Sequence, residues 1–157
     1  MARLPRFIQE GVCYHVITRG NQRQKIFLGE EDFLRFLELL QRYKKKHKAK
    51  LYGYCLMSNH AHLILDSEKL TKLMQGLNLA YVSYFNKKYK KVGHLWQGRF
   101  KSMIVNKDKY LFDCINYIEY NPVRAKIVGS PLDYPWSSYK CRVMGQENDL
   151  LDRIEDI

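Results

Sequence analysis

The order of strand-like and helix-like segments predicts an α+β fold of the ferredoxin-like kind, β-α-β-β-α-β, with an added C-terminal helix. Three observations lead there. Two strand-like runs, residues 50–57 and 60–66, meet at Ser58-Asn59 as a hairpin. A long amphipathic segment lies on each side of that pair, and a further short apolar run closes each flank.

Taken in order, residues 12–18 read as a strand that Arg19-Gly20-Asn21 terminates. Residues 30–48 read as a helix, with Glu30, Glu31 and Asp32 in its first turn and Lys44, Lys45, Lys46 and Lys48 in its last, both matching the helix dipole. Phe33, Leu37 and Leu40 form its expected apolar stripe, and the lysines its solvated end. Residues 50–57 and 60–66 are the hairpin strands. A second helix is expected over residues 69–90, capped by Asp66 or Ser67, ended by Gly93, with Leu73, Leu77, Ala80 and Tyr84 inward. Residues 100–105 give a fourth strand and 108–121 a third helix. Such a sheet carries helices on one face and leaves the other open to a nucleic acid.

The 157 residues fit one domain, with residues 1–145 as its body and 146–157 as a short acidic tail. The chain has 46% hydrophobic and 27% charged residues, as soluble globular proteins do. Cys13, Cys55, Cys114 and Cys141 are widely spaced without a Cys-x-x-Cys pair, which argues against a zinc ribbon or a disulfide framework. The first six residues lead into no apolar run of signal-peptide length, and no segment has the ~20 apolar residues of a membrane span. A cytoplasmic, nucleoid-associated protein is expected. The formal charge is +11. Residues 146–157 hold five acidic side chains against Arg153 alone, which leaves +15 on the rest of the chain. That excess favours a polyanionic partner, with nucleic acid first.

Side chains alternate between faces along a strand. In Asn59-His60-Ala61-His62-Leu63-Ile64-Leu65, therefore, Ala61, Leu63 and Leu65 face the core. His60 and His62 then share the open face, about 7 Å apart along the strand, where both can bind one metal ion. In the third helix Leu111, Cys114, Ile115 and Ile118 make the apolar stripe, and Tyr110, Tyr117 and Asn121 fall in one column beside it. Spacing alone does not choose between the two tyrosines. It also leaves Asn121 a structural role as the N-cap of a short helix beginning at Pro122.

Five stretches of the chain resemble a known family. They are Gly11-Val12-Cys13-Tyr14-His15-Val16-Ile17-Thr18-Arg19-Gly20-Asn21, the hairpin from Tyr54 to Leu65, Gly93-His94-Leu95-Trp96-Gln97-Gly98-Arg99-Phe100, Tyr117-Ile118-Glu119-Tyr120-Asn121-Pro122-Val123-Arg124-Ala125, and Asp133-Tyr134-Pro135-Trp136-Ser137-Ser138-Tyr139. In this order, over roughly residues 5–140, they resemble the REP-associated tyrosine transposases. These are relatives of the small insertion-sequence transposases with a His-hydrophobic-His motif.

The resemblance implies that His60, His62 and Asn121 hold a divalent metal, magnesium or manganese, and that Tyr117 is the nucleophile. It implies cleavage and rejoining of single-stranded DNA with hairpin or palindromic elements, through a 5′-phosphotyrosine intermediate. Ala61 is smaller than the family's usual residue between the histidines. Arg19, Arg23, Arg99, Lys101 and Arg124 are the expected DNA contacts, with Trp96 as a base-stacking platform. Relatives act as homodimers or as monomers, and both stay open here. Two other readings also stay open: a domesticated single-strand nicking enzyme using the same site, and a non-catalytic nucleic-acid-binding module on the same fold.

Overall fold

The computed structural model describes residues 12–146 and 148–154. Its elements run β1 (Cys13–Arg19), α1 (Glu30–Lys46), β2 (Lys50–Met57), β3 (His60–Asp66), α2 (Leu70–Tyr89), β4 (Lys101–Val105) and α3 (Leu111–Glu119). Two short helices follow, α4 (Asn121–Arg124) and α5 (Tyr139–Met144). The four strands form one antiparallel sheet in the order β2-β3-β1-β4. This is the expected ferredoxin-like α+β arrangement, with the hairpin strands falling where the sequence puts them.

α1 and α2 cover one face. Tyr14 and Val16 of β1, Leu51, Tyr54 and Leu56 of β2, and Ala61, Leu63 and Leu65 of β3 pack beneath them in one core. The helix faces differ in detail from the expected stripes. α1 buries Phe36, Leu39 and Leu40, whereas Phe33 and Leu37 are only partly covered. In α2 the inward positions after Leu77 are Tyr81 and Phe85, and Ala80 and Tyr84 sit at the margin. Tyr84 is drawn there by Asp32, a fully buried carboxylate that accepts from the Leu28 N–H at 2.8 Å, the Tyr84 hydroxyl at 2.8 Å and the Lys88 ammonium at 3.0 Å. Burial alone would raise the Asp32 pKa, but these bonds, with one from Tyr89, outweigh it and hold the carboxyl below its usual range.

Three local expectations are corrected. α2 has no side-chain cap, and Ser67 instead accepts from the Lys69 N–H at 3.1 Å. The helix ends at Lys90, in the left-handed region at φ 53°, before Gly93 is reached. Lys44 is not part of the solvated helix end. It is buried, donates to the Leu150 carbonyl at 2.7 Å and pairs with Asp152 at 2.7 Å. The Asp152 N–H donates to the Leu51 carbonyl at 2.8 Å and the Leu51 N–H donates to the Asp152 carboxylate at 2.9 Å, so residues 150–152 pack along β2.

The second face is half covered. α3 lies over β2, where Leu111, Ile115 and Ile118 pack with Cys13, Tyr52, Cys55 and Ile64 in a second core. Gly53 permits the approach, since a Cβ there would sit 3.1 Å from the Ile115 side chain. The 136–138 segment runs along the outer edge of β2, with Leu56 N–H donating to Trp136 and Ser138 N–H to Tyr54, and so shields that edge. All four cysteines are free thiols.

At the end of α3, Glu119 is fully buried and accepts from Ser138 at 2.6 Å and from the Arg142 guanidinium. Arg142 also donates to Asn116 at 2.8 Å, so α5 clamps the end of α3. Glu119→Ala is expected to lower stability by about 2–4 kcal/mol, because Arg142 loses its counter-charge and Ser138 its acceptor. The urea unfolding midpoint measures it, and a shift within error would show that the clamp contributes little.

Candidate functional site

The pleat of the two central strands brings the polar side chains together. Because Tyr14, Val16 and Thr18 point to the α1–α2 layer, Cys13, His15, Ile17 and Arg19 point to the opposite face. Ala61, Leu63 and Leu65 fix the parity of β3 in the same way, turning His60, His62 and Ile64 outward. The register sets Ile17 beside His62 and Arg19 beside His60. His60 and His62 share the face inferred from sequence, with ring centroids 4.9 Å apart and planes at 80°.

His62 is held from both sides. Its Nδ1 lies 2.8 Å from Nε2 of His15, and its Nε2 lies 2.8 Å from the side-chain nitrogen of Asn121. The His15 and His62 rings stack at 5.1 Å. His60 is held once, with its Nδ1 2.6 Å from Oδ1 of Asn59. Asn121 does not cap the short helix: α4 begins at Asn121 without a side-chain cap, and its amide reaches across to the sheet.

Burial lowers the proton affinity of all three imidazoles. Desolvation, then the charge of Arg19, lowers His60 to about 4. His62 falls to about 3 through desolvation, the neighbouring His60 and His15, and the charges of Arg19 and Arg124. His15 is lowered by desolvation. At neutral pH the rings are uncharged, the form that carries a lone pair for a metal.

Tyr117 stands beside this cluster with 58% of its surface exposed. The Arg124 guanidinium lies 4.0 Å above its ring, donates to its backbone carbonyl at 2.6 Å and reaches Oδ1 of Asn121 at 3.3 Å. Contacts therefore run unbroken from Tyr117 through Arg124 and Asn121 to His62 and His15. Tyr110 is also exposed, but its ring meets the ammonium of Lys109 at 5.4 Å.

Of the other candidate residues, Arg19 and Lys101 lie exposed on the histidine face, Lys101 beside Ile17. Arg23 is exposed on a turn against the β2–β3 hairpin, where Gly20 N–H donates to the Asn59 carbonyl. Arg99 and Trp96 line a cleft of about 580 Å³ with Asn21, Asn78, Leu79 and His94, and His15, His60 and His62 are not part of its lining. Trp96 is half buried, donates from Nε1 to the Asn78 carbonyl at 2.9 Å and packs its ring on Tyr81. It thus serves to fasten the 93–99 loop to α2.

The residue that sequence reasoning missed is His15. It lies within the β1 run CYHVITR, where a lone histidine carries no spacing signal of its own. Its parity with Cys13 and Ile17, together with the pairing of the two central strands in a ferredoxin-like sheet, was the available signal. Glu119 was missed, and Asp32 was read only as a first-turn acid, for another reason: nothing in the sequence around either acid shows that it is buried.

A family model described as transposase IS200-like matches residues 9–121. A Haemophilus influenzae protein named for the REP-associated tyrosine transposases is 30% identical over 100 residues. That match takes in 54% of this chain and only 56% of the relative's own length. Among solved structures, a REP-associated tyrosine transposase bound to a REP hairpin superposes with a TM-score of 0.72 at 17% identity, over 98% of this chain and 92% of that one. A protein of Deinococcus radiodurans R1 described as a transposase gives 0.52 at 19% identity, over 76% of this chain and 96% of that one. These two likenesses establish the fold.

The lowered imidazoles make stability depend on pH with a defined sign. Between about 4 and 6.5 the unfolded chain binds protons that the folded rings refuse, so stability rises with pH across that window. In chelator-treated protein the double variant His60→Ala/His62→Ala should show a shallower rise than the parent in urea titrations from pH 4 to 7. An unchanged slope would mean that these rings are not held neutral by the fold.

Proposed function

We propose that this chain, which belongs to the IS200-like transposase family, cleaves and rejoins single-stranded DNA through a covalent 5′-phosphotyrosine link. The observation that carries this reading is the contact chain from an exposed phenol, Tyr117, to two neutral imidazoles and an amide. Hairpin-containing DNA is the proposed substrate. The solved REP-associated relative binds a REP hairpin, and the +11 charge of this chain suits a polyanion.

The side chains fit a divalent cation. Both histidines have Nδ1 engaged, by Asn59 and by His15, which leaves each Nε2 as the available donor. Asn121 already sits at Nε2 of His62, and turning its amide would present oxygen. Among the described residues no three of His, Cys, Asp and Glu converge as a ligand set, so the neutral amide is the natural third donor. Magnesium or manganese held by His60, His62 and Asn121 would draw charge from the phosphate oxygens and orient the phosphate. Mixed nitrogen and oxygen donors suit manganese well.

In the proposed reaction the Tyr117 oxygen attacks the phosphorus in line and the bond to the 3′ oxygen breaks. The phenol loses its proton and the departing 3′ oxygen gains one. The new phosphotyrosine is still a diester, so a 3′ hydroxyl can reverse the step, and rejoining requires no nucleotide cofactor. A protonated phenol is a poor nucleophile, which makes positioning the main contribution of the protein. Arg124 supplies part of it, keeping the Tyr117 ring and Asn121 in one unit, with its remaining guanidinium hydrogens available to a phosphate. Arg19 and Lys101, on the same face, are the proposed backbone contacts. A nicking enzyme without strand transfer would use the same site.

Incubation with end-labelled, hairpin-containing single strands and manganese or magnesium should give a labelled protein band that survives denaturant. Chelator and Tyr117→Phe should each abolish it, whereas Tyr110→Phe should leave it intact. His60→Ala and His62→Ala should lose cleavage and keep most DNA affinity, which rests on phosphate contacts. An adduct that persists in Tyr117→Phe and disappears in Tyr110→Phe would reverse the assignment of the nucleophile.

A further inference from the structure

We propose that His15 is a positioning residue that accepts a hydrogen bond from His62 and thereby fixes the tautomer and ring orientation with which His62 meets the metal. The inference rests on the metal site proposed above and adds a residue to it.

His15 projects from β1 onto the face that carries His62 of β3, and its Nε2 lies 2.8 Å from Nδ1 of His62. Only one of those two nitrogens can carry the shared proton. The other nitrogen of His62 decides which: Nε2 faces the Asn121 amide nitrogen at 2.8 Å, a donor that requires a lone pair opposite it. The His62 proton is therefore on Nδ1, and His15 Nε2 is its acceptor. This is the tautomer that leaves Nε2 of His62 ready for a cation.

The same arrangement recurs one residue pair away. His60 has its Nδ1 on the Asn59 oxygen at 2.6 Å, so a second, independent side chain orders the second imidazole in the same sense. His15 itself is not a ligand, because the nitrogen nearest the site is already used by His62. Its surroundings also make a bare packing role costly. Cys13 and Ile17 flank it on the strand face, and it pairs with Ile64 and Met103 across the sheet. An aliphatic side chain would bury there without the loss of hydration that an imidazole must offset with a hydrogen bond. His15 is 6% exposed and His62 6%, so water cannot easily substitute for either partner.

The test uses the full chain and Mn2+ alone, with free Mn2+ followed by electron paramagnetic resonance. His15→Leu removes the acceptor and should weaken Mn2+ binding by about 10–100-fold, the cost typical of losing the partner of a ligating histidine. His15→Gln restores an acceptor at similar reach and should recover most of that loss. His15→Leu binding as tightly as the parent, or His15→Gln as weakly as His15→Leu, would overturn the inference. His62→Ala separates this from the metal reading: if it too binds Mn2+ like the parent, the metal site itself is wrong. Where His15→Leu fails to fold, long-range proton–nitrogen spectra of the metal-free parent decide the matter. They should show His62 protonated at Nδ1, and protonation at Nε2 would overturn the proposal.

Discussion

The site depends on one hydrogen-bonded ring, His62, pinned between β1 and the start of α4. On one side it meets His15 and on the other Asn121, each at 2.8 Å. The contact with His15 follows from the pleat. Antiparallel pairing of β1 with β3 puts His15, Arg19, His60 and His62 on the same face, and a slip of β3 by one residue would send His60 and His62 into the aliphatic core. The aliphatic residues on the other side of each strand enforce that register. Ala61, Leu63 and Leu65 are fully buried, and exposing them would cost several kcal/mol at roughly 25 cal/mol per Å². The core under α1 and α2 thus determines where the imidazoles stand.

The sheet supplies only half of the cluster. Tyr117 and Asn121 stand on either side of the α3–α4 junction, and their placement relies on how α3 is seated. Three restraints act together: Ile115 fits over the bare backbone of Gly53, Glu119 is buried between Ser138 and Arg142, and Arg142 ties α5 back to Asn116. A buried carboxylate held this way is weak evidence for stability, since apolar packing often does as well. It is better evidence for orientation. Glu119 lies two residues before Asn121, so its clamp fixes the junction from which the amide reaches the sheet.

The ferredoxin-like order and the pairing of His60 with His62 were legible because they rest on periodicity, which a single sequence displays directly. The hairpin at Ser58-Asn59 is the clearest case: two strand-length runs separated by two turn residues leave little choice of pairing. Helix faces were less legible. In α1 and α2 the true inward stripe differs by about one residue from the expected one, because aromatic residues at Phe33 and Tyr84 can be drawn to the margin by partners elsewhere, Trp136 for one and Asp32 for the other. The roles of Lys44 and Glu119 were hidden altogether. Each is a charged side chain buried by a distant segment, and nothing in its neighbours in sequence announces that partner. Asn121 shows the opposite limit. Local spacing offered it a cap, and a long-range contact outweighed the local one.

The charges around the cluster bear on the proposed chemistry more than any single distance does. His60, His62 and Asn121 are all neutral donors, so a divalent cation held by them would keep its full charge, where a carboxylate ligand would cancel part of it. Arg19 and Arg124 add positive potential at the same place, strongly enough to contribute to the lowered proton affinity of His62. An excess of positive charge is a poor environment for a cation arriving alone. It becomes favourable once a phosphodiester enters, because the negative charge that grows on the phosphate oxygens during attack is then opposed by the metal and two guanidinium groups together. DNA and metal should therefore bind with mutual reinforcement, each reducing the repulsion that the other meets. Such coupling suits a reversible exchange of one phosphodiester for another, in which the cluster has to stabilise the same crowded phosphate whichever direction it is approached from.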